Sequence, residues 1–332
     1  MYEYTRDDFP RTIELKGVPV FSDSVINPDE AYVVMDSLLL VSNDDPAQKE
    51  KIKLFSLKDG HQISSFFSKG HAENELISCN LKCFSSDSKL FYVNDFIQCK
   101  YWVCSVESLY MGKNPIIKSF FYSRDVLSLY PLESNYIGFN LWYMNEKKYS
   151  NGITSPIQRF DISKEKGQRR PSERHRYYVA NVSGASIALN PHNGDIWVAY
   201  KHDNVIEIYD DDMILRKRMT GPERSRCKYQ TREIKEQEYV FFEKESYVSS
   251  FYACFSTDKY VYLLHEDKNG VAIPPKPMPV EIYKLDWDGN LMCNYKLDRQ
   301  AYEISLDSNE KNLFAICMDN ENNLQVIKYT LE

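Results

Sequence analysis

The fold is decided by residues 189–210, which read Leu-Asn-Pro-His-Asn-Gly-Asp-Ile-Trp-Val-Ala-Tyr-Lys-His-Asp-Asn-Val-Ile-Glu-Ile-Tyr-Asp. The stretch combines the end of a strand, a polar turn, an apolar strand, a short polar loop and a further strand. Asn, Asp and Gly suit the turn because they tolerate left-handed backbone or bond their own main chain. The run Ile196–Tyr200 lacks polar alternation, which predicts a strand covered on both faces.

The same unit recurs six times along the chain. In each copy an apolar strand runs into a polar loop, and these junctions fall at Asn43, Asn94, Asn145, His202, His265 and Asp319. The intervals from 43 to 94 and from 94 to 145 are both 51 residues, and the longest, from 202 to 265, is 63. Repeats near ~40–50 residues are typical of four-stranded propeller blades.

Each unit predicts the same order of strands. The second strands are predicted at 38–41, 90–93, 136–143, 196–200, 260–264 and 313–318, and the third at 52–57, 101–106, 157–162, 205–209, 280–285 and 324–329. Asp-Gly turns at 59–60 and 288–289 lead to outer strands at 61–67 and 291–297, because Asp-Gly between strand patterns is a strong hairpin signal.

We therefore expect an all-β fold: one six-bladed β-propeller of four-stranded blades in a single domain, 1–332. The blades fall roughly at 21–69, 77–123, 124–180, 183–221, 247–298 and 301–332. The last unit ends after its third strand, and the strand at 11–20 is expected to complete it, which hides an aggregation-prone edge. Seven blades remain the alternative if 164–182 or 233–247 contains extra strands. Otherwise 164–176 and 216–242 are predicted as long loops, with a short helix allowed at 230–238.

Composition excludes several classes of protein. The net charge of −7 argues against a nucleic-acid binder, which needs a basic face. No run approaches the ~20 apolar residues that span a bilayer, and the N-terminus lacks the charged and apolar regions of a signal peptide. The eight cysteines are too sparse for a disulfide scaffold and are expected to be mostly buried thiols.

Four motifs near the N-terminus carry a family resemblance. They are Phe-Pro-x-x-Ile-Glu-Leu-Lys-Gly (9–17), Met-Asp-Ser-Leu-Leu-Leu-Val (35–41), Lys-Leu-Phe-Ser-Leu (53–57) and Gly-His-Ala-Glu-Asn-Glu-Leu (70–76). Together they resemble the TolB-like six-bladed propellers of Bacteroidetes. Of that family's glycine-rich Gly-x-Gly-x-Gly-Glu-Phe-like turn, only Gly70, Glu75 and the apolar Leu76 fit. The resemblance implies a propeller, often an exported lipoprotein, and hence the periplasm or cell envelope if a leader has been trimmed; the alternative is the cytoplasm.

The polar ends of the second strands are the candidate ligand-binding positions. If the units form a ring, Asn43, Asn94, Asn145, His202, His265 and Asp319 occupy equivalent places at the mouth of the central channel. Asp203 and Glu266 follow the two histidines, and imidazole beside carboxylate can bind a metal or transfer protons. Trp142 and Tyr143 can stack on a sugar or peptide ring.

No common catalytic signature accompanies these positions. The sequence lacks a phosphate-binding glycine loop, a Gly-x-Ser-x-Gly elbow and a His-Glu-x-x-His pair. We therefore expect a non-catalytic binding module for a protein, peptide or glycan, with no catalytic residue, cofactor, resident metal, nucleic acid or transmembrane segment, acting as a monomer. The alternatives are a metal-assisted hydrolase or lyase built on His202 and His265, and an intracellular scaffold.

Overall fold

A computed structural model describes residues 2–21, 28–43, 48–84, 89–122, 126–132, 135–140, 156–160, 184–223, 227–234, 237–243, 246, 248–269, 280–319, 321 and 323–331. Its strands are β1 (Tyr2–Glu3), β2 (Thr12–Leu15), β3 (Val18–Pro19), β4 (Pro28–Val34), β5 (Leu38–Asn43), β6 (Glu50–Ser56), β7 (Gln62–Lys69), β8 (Glu75–Leu76), β9 (Asn80–Lys82), β10 (Leu90–Asp95), β11 (Lys100–Ser105), β12 (Ile116–Phe121), β13 (Val126–Pro131), β14 (Tyr136–Asn140), β15 (Ile157–Phe160), β16 (Ala185–Leu189), β17 (Ile196–Tyr200), β18 (Val205–Tyr209), β19 (Leu215–Thr220), β20 (Tyr229–Ile234), β21 (Gln237–Phe242), β22 (Val248–Ser256), β23 (Tyr260–Asn269), β24 (Glu281–Asp286), β25 (Leu291–Leu297), β26 (Ala301–Leu306), β27 (Asn312–Met318) and β28 (Leu324–Thr330). One helix, α1 (Val106–Tyr110), and a 3-10 turn at Arg6–Asp8 are also present in this part of the chain.

These strands form seven sheets. Six are built on consecutive strands, with the orders β4-β5-β6-β7-β8, β12-β11-β10-β9, β13-β14-β15, β1-β19-β18-β17-β16, β2-β25-β24-β23-β22 and β26-β27-β28-β3, and the seventh is the hairpin β20-β21. The main strands pair antiparallel in sequence order, as in β16, β17 and β18. The all-β prediction is therefore confirmed.

The chain divides into two compact units. Unit 1 comprises 1–13, 123–276 and 281–295, and unit 2 comprises 14–122, 277–280 and 296–332. The single domain expected over 1–332, with the blade boundaries given for it, stays a prediction.

Sheets pack face to face within each unit. In unit 1 the apolar faces of β17 and β23 share one core, in which Trp197 is 1 % exposed and Phe251 fully buried. In unit 2 a core of the same kind joins β5 to β27 through Leu39 and Phe314. Strands covered on both faces need no polar alternation, which is why Ile196–Tyr200 reads as one apolar run.

The N-terminal strand closes the last sheet, as predicted, but only with its second half. Val18 and Pro19 of β3 pair with Lys328 and Ile327 of β28, whereas β2 borders β25. The predicted single strand 11–20 is therefore divided in two. Gly17 lies between the halves, where a Cβ atom would come within 2.2 Å of Ile327 Cγ2, so any larger residue would clash.

Two local predictions are wrong. Residues 230–238 do not form a helix: Tyr229 pairs with Phe242 and Ile234 with Gln237 in the β20-β21 hairpin. The aromatic residues lie at the two ends of the hairpin, at Tyr229 and at 239–242, and aromatic residues favour pleated strands. The loop predicted at 216–242 also contains most of β19. Strands within 233–247 belong to the hairpin and build no seventh blade among the described residues, while 164–182 lies outside them.

No helix among the described residues has the length and apolarity needed to cross a bilayer.

Candidate functional site

The predicted site residues are distributed over both units. His202, Asp203, His265 and Glu266 belong to unit 1, and Asn43, Asn94 and Asp319 belong to unit 2. Trp142, Tyr143 and Asn145 lie outside the described residues.

His202 and Asp203 lie on the loop between β17 and β18, and both are partly exposed. The His202 Nδ1 atom is 3.2 Å from the Val248 carbonyl oxygen, and the ring lies 4.9 Å from that of Phe242. Burial of the ring, only partly opposed by the Val248 hydrogen bond, lowers the pKa of His202. The lowered pKa keeps the His202 imidazole neutral at neutral pH, and the carboxyl group of Asp203 follows it on the same loop.

The next residue, Asn204, fixes this loop to the body of unit 1. Its side chain is 1 % exposed, and its Oδ1 atom accepts a 2.5 Å hydrogen bond from Ser250 Oγ and lies 3.0 Å from His265 Nε2. The Asn204 carbonyl oxygen accepts from the Gly221 amide at 2.9 Å. His202 and Asp203 form the partly exposed tip of the loop. Asn204, Ser250 and His265, which are buried and joined by hydrogen bonds, support it and are called the loop base.

His265 belongs to this base. β23 extends to Asn269, so His265 and Glu266 lie within the strand rather than at the predicted loop, with exposures of 1 % and 3 %. The His265 ring stacks on Tyr283 with a centroid distance of 4.9 Å, and Nδ1 is 3.2 Å from the Tyr283 hydroxyl. Burial, with the positive charge of Arg6, lowers the pKa of His265 to about 3.

A chain of hydrogen bonds continues from Tyr283 toward the surface of unit 1. The Tyr283 hydroxyl donates to Glu281 at 2.8 Å, and Arg6 Nε donates to the same Glu281 oxygen at 2.7 Å. Arg6 also pairs with Glu223 at 2.7 Å. Burial raises the pKa of Glu281, but the hydrogen bonds from Arg6, Asn294 and Tyr283 outweigh it, so the pKa is lowered overall.

This network suits support rather than proton transfer. A general acid or base works best with a pKa near the ambient pH, whereas His265 stays neutral and both of its ring nitrogens face polar neighbours. With Nε2–H donated to Asn204, Nδ1 competes with Glu281 for the single Tyr283 hydroxyl proton. Among the described residues, no three His, Cys, Asp or Glu side chains converge as metal ligands would.

In unit 2 the three described candidates occupy strand ends and a turn. Asn43 is fully buried at the end of β5, and Asn94 is 3 % exposed within β10, opposite Tyr101 of β11. Asp319 accepts hydrogen bonds from the amides of Glu321 and Asn323, both at 2.8 Å. The Asn323 amide is the main cause of the lowered pKa of Asp319. Asp319 therefore holds the turn that leads into β28.

A second polar cluster, which the sequence analysis missed, lies on the first strands of three sheets in unit 2. Glu30 of β4 is 8 % exposed; its carboxylate accepts from Ser42 Oγ and, at 2.9 Å, from Asn80 Nδ2 of β9. Lys82 of β9 donates to Tyr32 at 3.3 Å and lies 3.8 Å from Glu303 of β26. The Glu30 cluster, as we call it, consists of Glu30, Tyr32, Ser42, Asn80, Lys82 and Glu303.

Electrostatics set Glu30 apart within this cluster. Burial raises its pKa to about 7; Lys82 and the Ser42 hydrogen bond lower it, and Glu303 and Asp29 raise it further. Perturbed carboxyl groups of this kind concentrate at functional sites, although structural networks also produce them. The sequence contains one indication of this cluster, the alternation of polar Glu30 and Tyr32 with apolar Ala31 along β4.

Consecutive antiparallel sheets packed face to face, with buried polar groups at the loop bases and on the first strands, define a β-propeller. The chain belongs to the TolB-like six-blade propeller-like family, whose model matches residues 30–309. Both the resemblance and the six-bladed fold class are thereby confirmed.

Two solved structures share this fold. A member of the DUF4221 family from Bacteroides vulgatus is 12 % identical, with 96 % of each chain covered and a TM-score of 0.62. A Bacteroides fragilis protein described as exported is 11 % identical, with 99 % of this chain and 98 % of that chain covered and a TM-score of 0.52. No curated protein sequence matches the chain. The fold itself supports a binding or interaction module in general.

Proposed function

We propose that the protein is a non-catalytic binding module that presents loops at the channel mouth of its propeller to a protein, peptide or glycan. In unit 1 the contacting pair is His202 and Asp203. The observation that carries the proposal is the anchoring of Asn204, whose side chain ties this loop to Ser250 and His265. A loop fixed before binding loses little conformational entropy when a ligand arrives.

The chemistry of the pair defines what it can recognise. A neutral imidazole can donate and accept, and a carboxylate accepts. Hydroxyl and amide groups, as in sugars and peptide backbones, complement that set. His265, Glu266, Asn43 and Asn94 take the role of buried supports in the proposal, whereas Asn145, Asp319, Trp142 and Tyr143 are the further proposed contacts.

We also place the module in the periplasm or cell envelope, acting as a monomer. The support is the structural likeness to a Bacteroides fragilis protein described as exported. Fractionation of the native host, with an antibody against this chain, tests the compartment. Recovery in the cytoplasmic fraction alone would contradict it.

The binding role is tested with a glycan array and a random peptide array probed by labelled protein. The double variant His202→Ala/Asp203→Ala should lose at least about tenfold in affinity for each hit, which is ~1.4 kcal/mol. The control is Asp211→Ala/Asp212→Ala, because these exposed residues occupy the turn at the other end of β18. Arrays without hits, or equal loss in the control, would contradict the proposal.

A further inference from the structure

We propose that the Glu30 cluster of unit 2 binds the ammonium group of a small organic amine, with the Glu30 carboxylate as its main contact. This site is separate from the loop of His202 and Asp203 in unit 1, which carries the proposed function. Neither site depends on the other.

Three first strands of unit 2 bring the charged members of this cluster together. They are Glu303 on β26, Glu30 on β4 and Lys82 on β9. The Val33 amide of β4 donates to Ser305 Oγ of β26 at 3.3 Å, and the hydrogen bond from Asn80 Nδ2 to Glu30 joins β9 to β4. The cluster is therefore held in one arrangement before a ligand arrives, which reduces the entropy lost on binding.

Both glutamates lie where their strands are irregular. The pairing of β4 with β5 shifts register between Pro28 and Ala31, and that of β26 with β27 shifts between Ala301 and Glu303. Such irregularities change the direction of a side chain and are common next to active sites. The two strands therefore depart from regular pairing at the positions that bring their carboxylates into the cluster.

The contacts of Glu30 leave its carboxylate suited to a cation. It accepts hydrogen bonds from Ser42 Oγ and Asn80 Nδ2, and both donors are neutral. A carboxylate accepts about four hydrogen bonds in all, so an amine can be added to these two contacts without displacing them. A hydrogen bond between an ammonium group and a carboxylate is also stronger than one between neutral groups.

The net charge around Glu30 favours a cation as well. Lys82 lowers the pKa of Glu30, and Glu303 and Asp29 raise it, so these three groups act on it electrostatically. With Glu30 ionised, three carboxylates and one ammonium group leave a net charge of −2. A ligand with one positive charge halves that excess, whereas an anion would increase it.

Solvent reaches the cluster from the side of β9. The Lys82 and Glu303 side chains are 23 % and 11 % exposed, and Asn80 is partly exposed, whereas Glu30 is only 8 % exposed. An unbranched primary amine can therefore approach along β9, and the partial burial of the site strengthens the attraction between the charges.

Binding of an amine should release the proton of Glu30 in mildly acidic solution. Burial raises the pKa of Glu30 to about 7, whereas an aliphatic amine, like lysine, titrates near ~10.4 and stays charged. Below pH 7 the amine has to displace this proton, so its affinity should fall about tenfold from pH 8 to pH 6. Above pH 8 the affinity should be constant.

The test is calorimetric titration of the intact protein with 1,5-diaminopentane, and with 1,5-pentanediol as the uncharged analogue. The diamine should bind saturably at pH 8 and about tenfold more weakly at pH 6, while the diol should not bind. Glu30→Gln keeps both hydrogen bonds of the side chain and should weaken binding of the diamine at least tenfold at pH 8. Glu107→Gln, which removes an exposed carboxylate of α1, is the matched control and should bind as the unmodified protein does.

Thermal melts confirm that each variant is folded, and Glu303→Gln, which should weaken binding of the diamine at least threefold, replaces Glu30→Gln if that variant does not fold. The proposal is overturned if the diamine does not bind, if the diol binds equally, or if the folded variant binds the diamine as tightly as the unmodified protein. An affinity that is the same at pH 6 and pH 8 would also overturn it. Saturable binding of calcium chloride in place of the diamine, lost in the same variant, would assign the cluster to a metal ion instead.

Discussion

His265 in unit 1 and Glu30 in unit 2 are both buried titratable groups held by neutral hydrogen-bond partners, yet they respond to pH in opposite ways. Burial disfavours the charged form of each group. For the histidine this lowers the pKa to about 3, and for the carboxyl it raises the pKa to about 7. Burial therefore lowers the pKa of the base and raises the pKa of the acid.

The consequence for stability follows from proton linkage. Between the ordinary pKa of 6.5 and the folded value of about 3, His265 binds a proton in the unfolded chain but not in the folded one, so its contribution is lost as the pH falls. Between the ordinary pKa of 4.5 and about 7, Glu30 binds a proton in the folded chain only, so stability is lost as the pH rises. The two ranges overlap between pH 4.5 and 6.5. There a fall in pH removes stability through His265 and adds stability through Glu30.

The largest expected effect is the acid sensitivity of unit 1. From pH 6.5 to 3, protonation of His265 in the unfolded chain should cost on the order of 5 kcal/mol. His265→Gln should remove this slope, because Gln cannot titrate. Hydrogen exchange of β22 and β23 amides, measured against pH, checks it. An unchanged acid slope in the variant would contradict the account.

In unit 2, Glu30 should reduce stability as the pH rises from 4.5 to about 7, by on the order of 3 kcal/mol. Glu30→Gln should remove this loss. A glutamine can donate to Ser42 and accept from Asn80, so the hydrogen bonds survive while the charge is removed. The variant should be more stable than the unmodified protein at pH 8 and equal to it near pH 4, by exchange of β4 and β9 amides. Lower stability at pH 8 would show that the ionised carboxylate is favourable there.

Asn204→Ala tests whether the base of the unit 1 loop holds its tip. It should cost about 2 kcal/mol, because Ser250 and His265 lose a buried acceptor. Amide exchange at 201–203 should increase with it. Asn193→Ala is the control: its exposed side chain bonds Asp195, two residues along the same turn, so the loop at 201–203 should exchange at its usual rate.

The smallest expected effect concerns the exposed end of the unit 1 network. Glu223→Gln removes an ion pair with Arg6 whose side chains are 37 % and 30 % exposed. Exposed pairs contribute less than about 1 kcal/mol, so urea unfolding at neutral pH should change little. Glu281→Gln should cost more, since Glu281 is the less exposed partner of Arg6. Equal losses of stability in the two variants would contradict the expectation that the less exposed ion pair contributes more.

The sequence predicted the parts of the fold that depend on local pattern. The unbroken apolar run around Trp197 marked a doubly covered strand, and it is one. The pattern at 230–238 misled because five of its nine residues are charged, whereas the pairing of Tyr229 with Phe242, both outside that stretch, decides the structure.

The candidate site was less accessible to sequence reasoning. His202 and Asp203 were correctly placed on a loop, but the length of β23, which buries His265, depends on pairing with β22 and β24. Glu30 was missed because its character comes from Asn80, Ser42 and burial. Asn80 is 50 residues and Ser42 is 12 residues from Glu30 in the sequence, and the pattern within one strand contains neither contact.

One measurement tests the central comparison most directly: an NMR titration of the His265 ring nitrogens and the Glu30 carboxyl carbon in the intact protein. We predict that at pH 5 His265 keeps one protonated and one unprotonated ring nitrogen, and that the Glu30 carboxyl titrates near pH 7. A His265 midpoint near 6.5 together with a Glu30 midpoint near 4.5 would show that burial controls neither group, and would contradict the account.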